Sequence, residues 1–380
     1  MNLAAIQRNC ARLRSELGDG TQLCAVVKAD GYGHGALPAA RAALAGGASW
    51  LAVADAAEAW ELREGGLSGT RLLVMGALHG AELGAALAAG GEVIVWSERQ
   101  LGEVRAAGGG RVHVKLDTGM GRLGTRDVQE ASRVVRAARA SEGVEVAGVM
   151  THFATADDLA DEGFFASQLQ LFSEWASTMR AEQPDLLVHA ANSAATLRDP
   201  RAHFGMVRCG VAVYGMDPFG RDPAARGLEP ALELSSHVAE VKPCEPGQSA
   251  GYGRRFVAEG PTTVAVVPVG YGDGWRRGLS GNGDVLIAGR RHRGVGTISM
   301  DSFTVEVGPQ DAGERLRGER VILIGIQGGE RITAEEVAER VQTINYEITC
   351  GLTARIPRVY HRDGTPAQQS PPRSEGAGAL

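Results

Sequence analysis

The chain has 380 residues, of which 44% are hydrophobic and 22% charged, and its net charge of -6 gives a pI near 5.9. This acidic balance argues against nucleic acid as the main partner, because phosphate binding needs a clustered basic surface. No apolar run approaches the ~20 residues of a membrane-spanning helix, and the first residues lack the order of a signal peptide, so we expect a cytoplasmic protein with no membrane partner. The five cysteines are odd in number and far apart, which fits neither a disulfide framework nor a metal site.

Short apolar segments alternate with helical patterns from the start of the chain to about residue 230. The apolar segments, each predicted to be a strand, are 24–28, 50–54, 71–75, 92–96, 111–116, 144–150, 186–190 and 206–213. A helix over 3–17 precedes them, and the intervening helices include 36–45, 55–64, 81–89, 127–140 and 164–182. Eight such units predict an α/β fold, a closed (β/α)8 barrel of the TIM type, whose active site lies at the carboxyl ends of its strands.

The composition changes near residue 230, where helical patterns give way to short β-rich pieces. These pieces are 234–242, 263–269, 284–288, 293–298, 302–307 and 320–324. One helix over 333–342 opens with Thr333 and Glu336 in a capping-box pattern. We therefore predict a barrel domain over 1–230, a mostly β C-terminal domain over 231–362 and a disordered tail over 363–380.

A single lysine, Lys28, stands where the first predicted strand meets a glycine-rich turn. Taken alone, a lysine at a strand end is more often a surface cation whose stem packs against the wall. Here the glycines of 31–35 leave room for a ligand, and Tyr32 and His34 crowd the amine. A crowded, partly desolvated amine is what a Schiff base with a carbonyl compound needs.

Polar residues also follow four later strands of the predicted barrel, and the fold gathers them at one mouth. Each alone is compatible with a structural role: Arg122 after strand five, His152 after strand six, His189, Asn192 and Ser193 at strand seven, and Arg208 and Gly210 at strand eight. Ser193 and the backbone near Gly210 lie where barrels commonly bind phosphate. A Schiff-base lysine beside a phosphate site predicts pyridoxal 5′-phosphate, which serves as an electron sink for amino-acid carbanions.

Nine sequence blocks also resemble one known family, in that family's order. The segment AVVKADGYGHG at 25–35 resembles the cofactor-lysine signature of bacterial alanine racemases. The other blocks are DTGMGRLG (117–124), THFATAD (151–157), ANSA (191–194), RCGVAVYG (208–215), GYG (251–253), VGYGDGW (269–275), SMD (299–301) and INYEI (344–348). Because they cover nearly the whole chain, chance agreement is negligible.

The resemblance implies an enzyme that interconverts L-alanine and D-alanine and supplies D-alanine for peptidoglycan. Lys28 would hold the cofactor and act as base on one face of the substrate's α-carbon. Tyr252 would act on the opposite face and enter from the partner subunit of a head-to-tail homodimer. A hydrogen-bond chain from Tyr252 through His152 to Arg208 and His189 would make this phenol a competent base.

The same resemblance implies roles for further residues. Arg208 would face the pyridine nitrogen, where an arginine leaves the ring unprotonated and a weaker electron sink, which favours racemisation over transamination. Arg122 and the backbone amide of Met300 would hold the substrate carboxylate, and Tyr271 would narrow the entrance. Lys115 matches a position that is often carbamylated. The implied cofactor-binding residues are Lys28, Tyr32, Asn192, Ser193, Arg208, Gly210, Val211 and Tyr346.

Other activities and one departure from the family pattern stay open. A racemase that also accepts serine has the same fold, and fold alone does not separate the two. A carrier protein for pyridoxal phosphate is the alternative that is not an enzyme, but such proteins lack a second domain. Related barrel decarboxylases place a glutamate where this chain has Arg208. The family pattern begins about ten residues ahead of Asn2, so either the start is truncated or the β domain has one strand fewer.

Overall fold

A computed structural model of the chain describes residues 1–161, 163–308 and 314–367. Eight parallel strands close into a barrel in chain order, with β8 pairing back to β1. The strands are β1 (Gln22–Val26), β2 (Trp50–Val53), β3 (Arg71–Val74), β4 (Glu92–Val95), β5 (Gly110–Lys115), β6 (Val144–Met150), β7 (Leu187–His189) and β8 (Met206–Cys209). The predicted (β/α)8 barrel is therefore confirmed.

Helices alternate with these strands and bury one face each against the barrel. They are α1 (Leu3–Ser15), α2 (Ala36–Ala45), α3 (Ala56–Glu64), α4 (Gly80–Ala88), α5 (Glu98–Ala106), α6 (Val128–Arg139), α7 (Phe164–Glu182) and α8 (Ser193–Arg198). In α6 the buried residues Ala131, Val134, Val135 and Ala138 recur at helical spacing. Asp127 caps this helix by accepting a hydrogen bond from the Gln129 amide at 2.8 Å.

The C-terminal domain is built on one antiparallel sheet with its own apolar core. Its strands are β9 (Leu234–His237), β10 (Glu240–Cys244), β13 (Thr262–Val267), β14 (Asp284–Ile287), β15 (Arg290–Val295), β16 (Phe303–Gly308), β17 (Arg320–Gln327) and β18 (Glu330–Ile332). They run in the order β10, β13, β16, β15, β14, β17 and β18, and β9 pairs with β17. A separate hairpin of β11 (Ser249–Ala250) and β12 (Phe256–Val257) projects Tyr252 from its turn.

Two short helices, α9 (Ala334–Arg340) and α10 (Asn345–Cys350), complete this domain. The hydroxyl of Thr333 accepts from the Glu336 amide at 3.1 Å, as the capping box predicts. The Glu336 carboxylate pairs instead with Arg291 and Arg340, so only half of the box forms. Short 3-10 helices lie at Pro200–Ala202, Val211–Tyr214, Pro223–Arg226, Tyr252–Arg254, Tyr271–Asp273, Arg277–Leu279 and Glu314–Leu316.

The two ends of the described chain meet beside the barrel. Strands β19 (His361–Arg362) and β20 (Thr365–Pro366) form a hairpin, and the Asp363 carboxylate pairs with Arg8 at 2.8 Å. The predicted disorder was wrong for 363–367, where this long-range ion pair and the hairpin order the backbone; the remainder of the predicted tail, 368–380, lies outside the described residues. Among the helices of the described ranges, none is both long and apolar enough to cross a bilayer.

Candidate active site

A cavity of about 520 Å³ opens at the carboxyl ends of the barrel strands. Most of the residues singled out in the sequence line it. These are Lys28, Tyr32, Lys115, Arg122, His152, Asn192, Ser193, Arg208, Gly210, Val211 and Tyr346. The barrel has thus brought together side chains that are up to 318 residues apart in the sequence, from position 28 to position 346.

The turn that carries Lys28 is left-handed. β1 ends at Val26, so Lys28 lies two residues beyond the strand rather than at its end as predicted. Residues 29–32 all have positive φ, between 51° and 59°, although only one of the four is a glycine. Such backbone costs about 1–2 kcal/mol for each non-glycine residue. The carboxylate of Glu58 offsets part of that cost by accepting from the amides of Ala29 at 2.6 Å and Ala54 at 2.7 Å.

The amine of Lys28 has a lowered pKa. Burial disfavours its charged form, and the nearby Arg122 guanidinium lowers the pKa further, while Glu58 acts in the opposite direction. The chain contains only three lysines, Lys28, Lys115 and Lys242, and the first two line this cavity. A neutral amine that is open to a ligand is able to act as a nucleophile or a base.

Lys115, at the end of β5, is the second lysine of the cavity. It is 3% exposed, and its Nζ atom has no hydrogen-bond partner among the described residues. Burial and the charge of Arg208 lower its pKa to about 8. An unpaired buried amine is costly, so this position favours a chemical change or a ligand that supplies acceptors.

Arg208 forms the floor of the cavity and donates hydrogen bonds in several directions. Its guanidinium contacts His189 Nδ1 at 2.8 Å, the Thr151 carbonyl at 2.9 Å, the Ala190 carbonyl at 3.0 Å and His152 Nδ1 at 3.2 Å. Because a guanidinium only donates, both imidazoles must accept at Nδ1 and carry their proton on Nε2. His152 therefore presents an N–H group to the cavity. His189 lies behind Arg208 and does not line the cavity.

The electrostatics of this floor are strongly cationic. Burial lowers the pKa of Arg208 to about 10, which still leaves it charged at neutral pH. Burial and the charge of Arg208 hold the pKa of His152 and of His189 well below the ordinary value, so both imidazoles are neutral. An anionic ligand is the natural complement of this charge distribution.

Hydroxyl and amide groups line another part of the same cavity. Ser193 Oγ accepts from the Gly210 amide at 3.0 Å, and Asn192 caps α8 by accepting from the Ala195 amide. A Cβ atom on Gly210 would lie 2.3 Å from the Tyr32 hydroxyl, so glycine keeps that hydroxyl against the backbone. The ring of Tyr346 lies 5.9 Å from that of Tyr32. The hydroxyls of Ser193, Tyr32 and Tyr346 and the side-chain NH2 group of Asn192 can still donate, so we call this part of the cavity the anion-binding corner.

Three of the residues implied by the family resemblance do not reach the cavity in the single chain. Tyr252, Tyr271 and Met300 are 72%, 42% and 52% exposed on the C-terminal domain. They belong to one surface, because the Thr297 hydroxyl donates to the Tyr252 carbonyl at 2.8 Å and the Tyr271 amide donates to the Ser299 carbonyl at 3.1 Å. We call these three side chains the exposed tyrosine face.

The sequence analysis missed three polar residues that support the site: Glu92 and His113, which are buried, and Glu58, which is half-buried. A signal for His113 existed, because strand residues alternate between the two faces of a barrel and His113 shares its face with Lys115. Glu92 opens an otherwise apolar strand, Glu-Val-Ile-Val, where a charged residue is typical of a solvated strand end. Glu58 has no motif, since its role depends on the fold of the neighbouring turn.

Fold and cavity together define a (β/α)8-barrel protein with an appended β domain and, at the barrel mouth, a lysine of lowered pKa. Two family profiles cover the chain: "Alanine racemase, N-terminal domain" matches residues 1–218 and "Alanine racemase, C-terminal domain" matches residues 231–360. The chain belongs to the alanine racemase family, as its sequence blocks predict.

Individual relatives match over nearly the full length of the chain. Alanine racemase 1 of Bacillus subtilis is 39% identical over 373 residues, which span 96% of this chain and 93% of that protein. The alanine racemase of Mycolicibacterium smegmatis is 42% identical over 370 residues, 95% of this chain and 93% of that protein. The crystal structure of alanine racemase from Streptomyces lavendulae superposes with a TM-score of 0.88 at 38% identity and covers 95% of this chain and 96% of that one. The structure of the Bacillus anthracis enzyme with bound L-Ala-P gives a TM-score of 0.87 at 35% identity, with coverage of 97% and 95%.

Proposed function

We propose that this protein interconverts L-alanine and D-alanine with pyridoxal 5′-phosphate, and that Lys28 and Tyr252 act on opposite faces of the substrate's α-carbon. The observation that carries the proposal is the Lys28 amine, whose pKa is lowered and which opens into a cavity with a cationic floor and an anion-binding corner. Racemisation needs one group to remove the α-proton and another to return a proton from the opposite side.

The residues of the cavity fit the cofactor. When bound, pyridoxal 5′-phosphate accepts the electrons that remain at the substrate's α-carbon once the proton has left. The Lys28 amine would hold its aldehyde carbon. The corner of hydroxyls and amides would hold its phosphate, through Tyr32, Asn192, Ser193, Gly210, Val211 and Tyr346. The space left by the missing Cβ of Gly210 supports this fit, because a side chain there would displace the Tyr32 hydroxyl.

Arg208 would set the type of reaction. It is buried, it is charged at neutral pH, and its side-chain hydrogen bonds to the described residues are all donated. A guanidinium that stays protonated has no acceptor, so it cannot stabilise a proton on the pyridine nitrogen of the cofactor. Arg208 would therefore keep the cofactor a moderate electron sink. The proton would then return to the substrate's α-carbon, which favours racemisation over transamination.

The substrate carboxylate would bind between Arg122 and the backbone amide of Met300. Arg122 lines the cavity and has no carboxylate partner among the described residues, so its planar fork is available for a bidentate contact. Met300 lies on the exposed tyrosine face, so this half of the carboxylate site would come from another subunit.

Lys115 would be carbamylated. Its neutral amine would attack carbon dioxide, forming an N–C bond and releasing one proton, which leaves an anionic carbamate. That product removes the repulsion between Lys115 and the neighbouring arginines and supplies acceptors where the bare Nζ has no partner. A carbon-13 carbamate resonance in protein equilibrated with labelled bicarbonate, absent in a Lys115→Met variant, is the expected result; its absence in the parent would remove this part of the proposal.

The working unit would be a head-to-tail homodimer with shared active sites. The exposed tyrosine face does not line the cavity of its own chain, yet it carries Tyr252, which would be the second base, together with Tyr271 and the amide of Met300. Docked on a second copy, Tyr252 of the partner subunit would meet the Nε2–H group of His152. A donor at that position stabilises a phenolate, which makes the tyrosine a competent base. The product D-alanine would serve peptidoglycan synthesis.

The test is incubation of the full chain and the cofactor with L-alanine in deuterated water. We expect D-alanine that carries deuterium at the α-carbon, because the base that removes the proton exchanges it with solvent. Release of carbon dioxide, or recovery of L-alanine without exchange, would contradict the proposal. A parallel incubation with L-serine measures the breadth of the substrate range.

A further inference from the structure

A line of buried polar side chains crosses the interior of the barrel below the active site. From Arg208 it runs to His189 at 2.8 Å, from His189 Nε2 to His113 Nδ1 at 2.8 Å, and from His113 Nε2 to the Glu92 carboxylate at 3.0 Å. Arg71 then holds Glu92 with two hydrogen bonds, at 2.7 and 2.8 Å. We call Arg208, His189, His113 and Glu92 the barrel thread. All four are buried, and both imidazoles are 0% exposed.

The two ends of the barrel thread determine where every proton in it lies. Arg208 only donates, so His189 accepts at Nδ1 and donates from Nε2. His113 must then accept at Nδ1 and donate from Nε2 to the carboxylate. Burial alone would raise the pKa of Glu92, but the hydrogen bond from His113 and the contact with Arg71 bring its pKa below the ordinary value. An ionised carboxylate only accepts, which agrees with the direction set at the other end.

Every hydrogen bond of the thread is therefore donated in the same direction, from Arg208 toward Glu92. No other assignment of histidine tautomers satisfies all of these hydrogen bonds. If His113 carried its proton on Nδ1, that N–H group would face the Nε2–H group of His189. If His189 also changed tautomer, its Nδ1–H group would face the donors of Arg208. A buried donor without an acceptor costs about 1–3 kcal/mol. Since Arg208 contacts no carboxylate among the described residues, Glu92 is the anion that terminates its line of donors.

We propose that Glu92 is a positioning residue for the active site. Its carboxylate fixes the tautomers of His113 and His189, which keeps an acceptor at the far side of Arg208 and holds the guanidinium in place on the cavity floor. The catalytic consequence rests on the proposed function, because it concerns the arginine that would face the cofactor. The arrangement of protons in the thread does not depend on the proposed function. The experiments can therefore test the thread and the proposed function separately.

A purely structural role is the competing explanation. Glu92 lies at the start of β4, at the rim opposite the active site, where Arg71 and Arg111 approach its carboxylate at 2.7 and 3.7 Å. Such pairs tie neighbouring strands together without any effect on a distant cavity. Glu145 offers a matched control, because its carboxylate pairs with Arg111 at 2.8 Å on the same rim but is 60% exposed and touches no imidazole of the thread.

The first measurement is nitrogen-15 NMR of the histidine rings in the full chain, with Glu92→Gln and Glu145→Gln beside it. We expect His113 and His189 to be neutral with the proton on Nε2, and Glu92→Gln to change the tautomer population of at least one of them. Glu145→Gln should leave both unchanged. An Nδ1–H tautomer at either histidine of the unchanged protein would overturn the inference, whether or not any variant folds.

The second measurement is the dissociation constant for pyridoxal 5′-phosphate, together with kcat and KM for L-alanine. In Glu92→Gln we expect cofactor binding and kcat to weaken about tenfold or more, similar to the roughly 10- to 100-fold effect of removing an outer partner from a metal-bound imidazole, while KM is unchanged. Glu92→Asp, which keeps the charge, should restore most of the loss. Lower thermal stability with parental cofactor affinity in Glu92→Gln would overturn the proposal. An unchanged protein with the expected tautomers but no racemisation would contradict the proposed function alone.

Discussion

The mouth of the barrel and the exposed tyrosine face are opposite kinds of surface. At the mouth, Lys115 and Arg208 are buried and Lys28 is half-buried, and four hydrogen bonds hold the Arg208 guanidinium in place. On the face, Tyr252 is 72% exposed, and within the described part of the chain hydrogen bonds reach only its backbone. Under the proposed function, the cavity would hold one half of a reaction site and the exposed tyrosine face would supply the other half to a second chain. One base would then come from each chain.

The largest effect expected is that of Lys28→Ala, which removes the proposed base at the barrel mouth. We expect kcat for alanine racemisation to fall by at least about 10⁴-fold, because the lysine would both hold the cofactor and act as a base. The measurement is the rate of D-alanine formation by the full chain. Lys242→Ala, which removes an exposed lysine of the C-terminal domain, is the matched control and should retain parental activity.

Tyr252→Phe removes the proposed base on the exposed tyrosine face. It should lower kcat by about 10²–10⁴-fold, the usual contribution of a general acid or base. The loss should be seen in both directions, because the tyrosine removes a proton from one enantiomer and returns one to the other. Tyr271→Phe, on the same face, should have a much smaller effect since its ring would only narrow the entrance. Equal rates for parent and Tyr252→Phe would contradict the two-base proposal.

The pH dependence of stability distinguishes a bare Lys115 from a carbamylated one. Its pKa is about 8 in the folded chain against an ordinary 10.5, so between these values the unfolded chain binds a proton that the folded chain does not. Stability of the bare form should therefore rise with pH across this window, by about 3 kcal/mol. Urea unfolding in buffer free of carbon dioxide should show this rise in the parent and lack it in Lys115→Met. Bicarbonate should suppress it, if the carbamate forms.

The smallest effect concerns the left-handed turn under Lys28. Glu58→Gln places an amide donor near the two backbone amides that the carboxylate now accepts from, so we expect a loss of about 1–3 kcal/mol in the free energy of unfolding. Glu64→Gln, exposed on the same helix, should stay close to the parent. Unchanged stability in Glu58→Gln would show that the turn needs no such anchor.

Much of this fold is visible in the sequence because its signals are local. Alternating strands and helices predict the barrel, and polar residues after the strands predict which side chains meet at its mouth. The predicted strand over 206–213 is shorter in the structure, since Gly210 breaks it and residues 211–214 turn into a 3-10 helix. That break is what exposes the backbone of the anion-binding corner.

The parts that escaped prediction depend on closure of the barrel. Glu92, His113 and His189 lie on three different strands, and no spacing in the sequence indicates that their side chains form one line. The order of residues 363–367 likewise depends on Arg8, 355 residues away. Contacts of this kind appear only when the whole chain is folded.

The most direct test of a site divided between two chains is to mix Lys28→Ala with Tyr252→Phe, each nearly inactive alone, and to measure racemisation after subunit exchange. A mixed dimer would have one site with both changes and one site with neither. Random pairing of equal amounts makes half of the dimers mixed, so activity should recover to about a quarter of the parent's. If exchange is confirmed and no activity returns, each site is complete within a single chain, and the division between barrel mouth and exposed tyrosine face is contradicted.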